Sequence, residues 1–331
     1  MSFDQTTIEP LLAVSDLSVE IEGREGRTVR AARGLSFSVG KGRVMGVIGE
    51  SGSGKSMTAL SVMRLLPRAA KVTGGRVMFQ GEDLLTKSPR AMRSLRGRAI
   101  GMILQDPSVS LDPLYSVGDQ IDEALRMHAR MGKAERHARA VELLTSVGIP
   151  SPEDRLDQYP HEMSGGMLQR VVAAIAIALN PALLIADEPT TALDPTIQVQ
   201  VLDLLAGLRD RLGISILLIT HDFGVAAHIC DDIMVMYAGE VVEMGPVRQI
   251  FDRPAHPYTR ALMHSSGAPE GGNRLPTIDG SPPDLADLPP GCAFAQRCPM
   301  VQPRCRAEAP PRRALTPDHS AACWRSEEIP A

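Results

Sequence analysis

Residues 49–56 read Gly-Glu-Ser-Gly-Ser-Gly-Lys-Ser, and no other stretch limits the fold so tightly. An apolar run of β character, residues 43–48, leads into them, and a helix-compatible stretch follows to Leu66, where Pro67 ends it. The pattern G-x-x-x-x-G-K-[ST] works only in that strand-to-helix setting. Its glycines let backbone N–H groups wrap phosphate oxygens, Lys55 brings a positive charge to them, and the Ser56 hydroxyl can ligate Mg²⁺. The helix that starts here turns its positive end toward an anion. The candidate set at the loop is Gly49, Glu50, Ser51, Gly52, Ser53, Gly54, Lys55, Ser56 and Met57, against the alternative of a glycine-rich turn that holds nothing.

A phosphate loop needs a second strand that ends on a carboxylate. Residues 183–188, Leu-Leu-Ile-Ala-Asp-Glu, provide one. Two adjacent acids at the end of an apolar strand are costly if buried without a cation. Asp187 can hold Mg²⁺ through water, and Glu188, one residue on, can polarise an attacking water as general base. The plain alternative is a solvated acidic pair at a strand end.

The rest of the chain reads as one large α/β domain with an appendage. Short β-rich runs cover residues 12–21, 35–39 and 43–48. Helical spacing then runs from Tyr115 to Gly148, and continuous apolar runs return at 182–186, 214–220 and 233–237. Such runs suit parallel strands buried on both faces. We expect a sheet domain over residues 1–252, with a helical subdomain inserted at about 106–165. No internal repeat is visible. After residue 252 the composition shifts to Pro, Arg and Cys, which predicts a loop-rich C-terminal module over 253–331.

Charge and hydropathy exclude some classes. With 39 acidic and 35 basic side chains the net charge is −4, so no basic face for nucleic acid is expected. A spanning helix needs roughly 20 mostly apolar residues, and the longest apolar run, 171–179, stops at Asn180 and Pro181. The first ten residues carry no basic flank before an apolar stretch, so a cytoplasmic protein is expected. Any membrane role then comes through partners. The sixteen methionines are expected to fill irregular cores.

Four of the five cysteines, Cys292, Cys298, Cys305 and Cys323, fall in the last forty residues with the spacing C-x5-C-x6-C-x17-C. No C-x-x-C pair occurs, so the common zinc-ribbon pattern is missing. Spacing leaves three readings open: a [4Fe–4S] cluster, a zinc ion, or unliganded packing thiols. Cys230, far from the group, is expected to be a buried small hydrophobe.

Further motifs follow in order. Residues 163–167, Met-Ser-Gly-Gly-Met, resemble the LSGGQ signature of the ABC (ATP-binding cassette) ATPases, with Met163 for Leu and Met167 for Gln. Gln105 resembles the family's Q-loop residue, Ala192-Leu193-Asp194 its D-loop, and His221 its switch histidine. With the phosphate loop and the Asp187–Glu188 strand, six motifs stand in the expected order, and the chain is identified as a member of that family. The resemblance implies a P-loop fold: a RecA-like core sheet, an antiparallel β subdomain and a helical subdomain. It further implies a dimer with ATP sandwiched between two such chains. There Ser164, Gly165 and Gly166 of one chain meet the γ-phosphate bound by the other, and Asp194 signals across. Gln105 senses Mg²⁺ and water while touching the membrane partner, and His221 contacts the γ-phosphate. Where many members stack an aromatic ring on adenine, this chain has Ile21, an aliphatic contact without the stacking contribution.

The sequence His-Pro-Tyr-Thr-Arg-Ala-Leu at 256–262, followed by the cysteine-bearing tail, resembles the C-terminal extension of peptide and nickel importer ATPases, and most closely the D-type subunit of dipeptide or oligopeptide importers. That implies a second ATPase subunit in a heterodimer, two membrane permeases, an external substrate-binding protein, and a peripheral position on the cytoplasmic face of the membrane. It also favours the iron–sulfur reading of the four cysteines. A nickel importer is the runner-up. A non-transport ABC protein of translation or DNA repair fits less well, because those carry two cassettes or long helical insertions, and a regulatory subunit is disfavoured by the intact Glu188 and His221.

Overall fold

The computed structural model describes residues 10–23, 26–191, 193–266 and 278–329. Residues 1–9 of the stretch read above for a signal, Ala192, and residues 267–277 and 330–331 of the expected C-terminal module lie outside the described residues. In chain order the strands are β1 (Leu12–Glu22), β2 (Thr28–Val39), β3 (Val44–Ile48), β4 (Ala70–Phe79), β5 (Glu82–Asp83), β6 (Ile100–Ile103), β7 (Leu183–Asp187), β8 (Ser215–Thr220), β9 (Asp232–Tyr237), β10 (Glu240–Pro246), β11 (Arg313–Thr316) and β12 (His319–Ala321). The helices are α1 (Lys55–Met63), α2 (Pro89–Leu95), α3 (Pro107–Ser110), α4 (Val117–His128), α5 (Lys133–Ser146), α6 (Pro152–Leu156), α7 (Gly165–Ala176), α8 (Pro195–Leu212), α9 (Phe223–Ile229), α10 (Val247–Asp252), α11 (Pro257–Ser266) and α12 (Pro303–Ala307).

The chain divides into two compact units, Met1–Thr86 with His221–Ala331, and Lys87–Thr220. In the first, an antiparallel sheet runs in the order β2-β1-β4-β5, with Leu12 opposite both Val39 and Phe79. Leu12, Leu17, Leu35 and Val77 are fully buried on it. A further set of strands runs β11-β12-β10-β9-β3. Here β3 and β9 are parallel, Met45 to Asp232 through Ile48 to Val235, and all five residues of β3 are buried, as a strand covered on both faces requires. The tail adds β12 antiparallel to β10, with Ala321 opposite Glu243.

In the second unit β6, β7 and β8 lie parallel, Ile100 opposite Leu183 and Leu183 opposite Ser215. Every residue of β7 and of β8 is buried. The helical stretch read from spacing at 115–148 is two helices, α4 and α5. Ser116 caps the first through the Asp119 N–H, and Val117, Ile121 and Leu125 fall on its buried face at intervals of four.

Among the described residues β4, β5, β6, β10, β11 and β12 escaped the sequence reading, and β2 was read only in part. β2 begins at Thr28 rather than 35, because Arg30 and Arg33 interrupt its apolar alternation. β4 is mostly exposed or half-buried until Val77 and carries Gly74 and Gly75, so it shows little apolar signal.

Candidate active site

The first unit carries the phosphate loop between β3 and α1. Gly54 has φ 101°, a left-handed value, and a Cβ there would collide with the Ala31 carbonyl oxygen, so only glycine fits. Lys55 is 5% exposed; its Nζ donates to the carbonyls of Gly49 (2.7 Å) and Glu50 (3.0 Å), which curls the loop around the ammonium. Ser56 is exposed in the first turn of α1, and Met57 follows it half-buried in the same helix. Ser53 is buried, its N–H donating to the Glu50 carbonyl at 3.2 Å. With backbone donors, a lysine and a hydroxyl at a helix start, the loop can hold a polyphosphate and its Mg²⁺.

Glu50 is held from two sides that the motif alone does not reveal. Its N–H donates to Tyr258 Oη at 2.8 Å, and its carboxylate takes a bidentate pair from Arg297 at 2.7 and 3.0 Å. Ile21, in β1 opposite Val29, is half-buried. His221 follows β8 directly, exposed, and Asp222 caps α9 through the Gly224 N–H at 2.7 Å.

The second unit carries the carboxylates. Asp187 closes β7 at 7% exposure. Glu188 turns the chain with φ 47°, a left-handed backbone that costs a non-glycine residue of order 1–3 kcal/mol and persists where surroundings enforce it. The enforcement is visible: the Glu188 N–H donates to the Ile219 carbonyl (2.9 Å), while Oε2 accepts from Gln105 Nε2 (3.2 Å) and from Thr191 Oγ1 (2.9 Å). Gln105 and Glu188 are thus brought together as side chains. Thr191 joins them, a residue that sequence reasoning missed although it lies three positions past Glu188.

Ser164 is the N-cap of α7, its Oγ accepting from Met167 N–H at 3.4 Å, and Ser164 and Gly165 are both exposed. The N–H groups of the first helical turn have no intrahelical acceptor, which leaves an anion-binding end. Asp194 caps α8 through Ile197 N–H at 3.0 Å. A Cβ on Gly166 would lie 2.9 Å from Ile197 Cγ2, so the two caps are packed together. Ala192 lies outside the described residues.

In the tail, Cys292, Cys298, Cys305 and Cys323 all line one small cavity, together with His256, Phe294 and Trp324. Burial pushes the Cys292 and Cys323 thiols up to about 11 and raises Cys298 as well, so without a cation these three stay protonated at neutral pH. Among the described residues no three of His, Cys, Asp and Glu stand in an arrangement that could hold a metal ion, so the geometry does not by itself support the iron–sulfur or zinc reading. Cys230 is buried against Gly46, and burial raises its thiol far above the ordinary range, consistent with an inert packing residue.

The sequence pattern of the family described as "ABC transporter" matches residues 32–191, and that of "Oligopeptide/dipeptide transporter, C-terminal region" matches 242–305. A probable peptide ABC transporter ATP-binding protein of Sinorhizobium fredii is 51% identical over 322 residues, covering 96% of each chain. The chain belongs to the ABC transporter ATP-binding proteins. Within them it falls in the oligopeptide and dipeptide group: a dipeptide transport ATP-binding protein of Bacillus subtilis is 46% identical, covering 97% of this chain and 96% of that one. An ATP-binding cassette solved as a dimer bound to ADP and Pi superposes with a TM-score of 0.64 at 27% identity, over 72% of this chain and 99% of that one. The fold is that of an ABC ATPase cassette. Among the described residues no helix is long and apolar enough to cross a membrane.

Proposed function

We propose that this ABC ATP-binding protein hydrolyses ATP to drive import of dipeptides or oligopeptides. It would act as a peripheral subunit on the cytoplasmic side of two permeases supplied by an external binding protein. The observation that carries the reading is Glu188, fixed by Gln105 and Thr191 at a left-handed turn directly after the Asp187 strand. A carboxylate held this way can take a proton from water without first reorganising. The named relatives support peptide cargo over nickel.

In this reading residues 1–252 are the catalytic part, with 106–165 its helical portion and 253–331 the extension. Lys55, Ser56 and the backbone of residues 49–54 bind the phosphates, with Met57 behind them and Ile21 against the base. Ser56, Asp187 and Gln105 would hold Mg²⁺, whose charge offsets that of the β- and γ-phosphates. Glu188 accepts the proton of the attacking water as its oxygen bonds to the γ-phosphorus and the bond to the bridging oxygen of ADP breaks. His221 stabilises the charge that develops. Ser164, Gly165 and Gly166 close over ATP held by a second ATPase subunit, a heterodimer partner by the resemblance, and Asp194 relays between the two.

The same reading gives the four tail cysteines a shared [4Fe–4S] cluster, supported by their lining one cavity. Bound iron would take the four sulfurs as thiolates and cross-link a segment poor in apolar residues.

The experiment is Glu188→Gln in the assembled transporter. ATP binding should persist while steady-state hydrolysis falls by about 10²–10⁴, the range for loss of a general base. Turnover near that of the wild type would remove Glu188 from the role and the reading with it.

A further inference from the structure

The ion pair between Glu50 and Arg297 joins two residues 247 positions apart, one inside the phosphate loop and one in the tail. Arg297 spends every N–H it has. Nε donates to the Asp279 carbonyl (3.0 Å). Nη1 donates to Glu50 Oε2 (2.7 Å) and Tyr237 Oη (3.3 Å), and Nη2 to Glu50 Oε1 (3.0 Å) and the Ile278 carbonyl (3.2 Å). Five donors meet five acceptors, which a lysine cannot reproduce. The guanidinium carbon lies 5.8 Å from the Tyr237 ring centroid and 5.9 Å from that of Phe294, and the side chain is 4% exposed.

We propose that Arg297 is a positioning residue for nucleotide binding: from the C-terminal tail it fixes the phosphate loop through Glu50 and cancels that residue's charge. The proposal rests on the reading of residues 49–56 as the ATP site. Two physical arguments lead to it. First, the Glu50 carbonyl accepts from Lys55 Nζ, and the Glu50 N–H is tied to Tyr258. A fixed Glu50 therefore presets the lysine and the loop backbone before the ligand arrives, which lowers the ordering cost of binding. Second, a carboxylate in a loop that cradles a polyphosphate repels it, and a bidentate guanidinium removes the repulsion while keeping the carboxylate as a handle. Arg297 and Phe294 lie in sequence between Cys292 and Cys298, which both line the cysteine-bearing cavity.

The test uses the purified full chain, with MgATP affinity measured by calorimetry and melting temperature recorded for each variant. Arg297→Ala should weaken MgATP binding roughly tenfold or more, since it removes two charge-assisted bonds and exposes Glu50. Adding Glu50→Gln to it should recover a large part of the loss, because the repelling charge is gone. A merely structural role gives no such recovery. Arg297→Lys keeps the charge but not the fork and should fall between the wild type and Arg297→Ala, which serves if the alanine variant does not fold. Wild-type affinity in Arg297→Ala overturns the proposal, as does a double variant that binds no better than the single one. Lys55→Ala runs alongside: if the wild type binds MgATP no better than that variant, the ATP-site reading fails instead.

Discussion

Glu243 offers the sharpest test of how the tail is attached. It lies in β10, fully buried, and its carboxylate takes three donors: Ala255 N–H at 2.7 Å, His256 N–H at 3.0 Å and His319 Nε2 at 2.8 Å. The first two precede α11 and the third belongs to β12, so one side chain ties three segments together. Glu243→Ala would leave two backbone N–H groups and an imidazole buried without their acceptor. Each buried donor left without an acceptor costs about 1–3 kcal/mol, so three of them take a large share of the roughly 5–15 kcal/mol that holds a domain folded. Glu243→Gln keeps one acceptor but turns an amide N–H₂ toward a donor, which costs about 1–3 kcal/mol. The chain's single tryptophan, Trp324, reports the outcome, because it sits in this tail with the Arg304 guanidinium 3.4 Å from its ring centroid. Urea titration followed by Trp324 fluorescence should place the midpoints in the order wild type, Gln, Ala. An alanine variant within about 1 kcal/mol of wild type, the worth of one ordinary hydrogen bond, would refute the reasoning, and so would equal shifts in the two variants.

Lys55→Ala should weaken ATP binding itself, since it removes the charge facing the phosphates; unchanged affinity by equilibrium titration would count against the loop assignment. The chain alone should be a poor ATPase and gain activity when mixed with a second ATPase subunit, because in the proposed mechanism each site is completed by Ser164 and its glycines from the other chain; full activity as a dilute monomer would refute this. Anaerobically purified protein should be brown, with iron and acid-labile sulfide in equal amounts, and Cys305→Ser should lose both. Stoichiometric zinc without sulfide would replace the cluster with a zinc ion, and a metal-free protein with an ordered tail would remove both.

What the sequence disclosed follows from where the signal is local. The apolar runs read at 43–48, 182–186 and 214–220 hold the buried strands β3, β7 and β8, because parallel strands covered on both faces need unbroken hydrophobic stretches. Ser164 at a helix start was legible because capping is a matter of neighbouring residues. β4 was not, since its exposed residues and two glycines give no alternation to read. Thr191 as a partner of Glu188 was also out of reach. A threonine three residues after an acid has no distinctive pattern, and only the left-handed turn at Glu188 brings the hydroxyl to 2.9 Å from its carboxylate.

The tail was legible as composition and hidden as structure. Proline, arginine and cysteine after residue 252 suggested loops, and loops predict few contacts. The structure instead gives the tail three kinds of anchor: strand pairing of β12 on β10, the Glu243 hub, and the Arg297 pair with Glu50. Their contacts join residues 12 to 247 positions apart, so none leaves a periodic trace. Their energetics also differ. Strand pairing and the hub hold the tail to β10, where a nucleotide has no reason to act. The Arg297 pair holds it to the one loop whose geometry a nucleotide would read. Loosening residues 292–298 would therefore reach Glu50 through Arg297, beside the separate tie of the Glu50 N–H to Tyr258, so the tail meets the phosphate loop at two points of one residue.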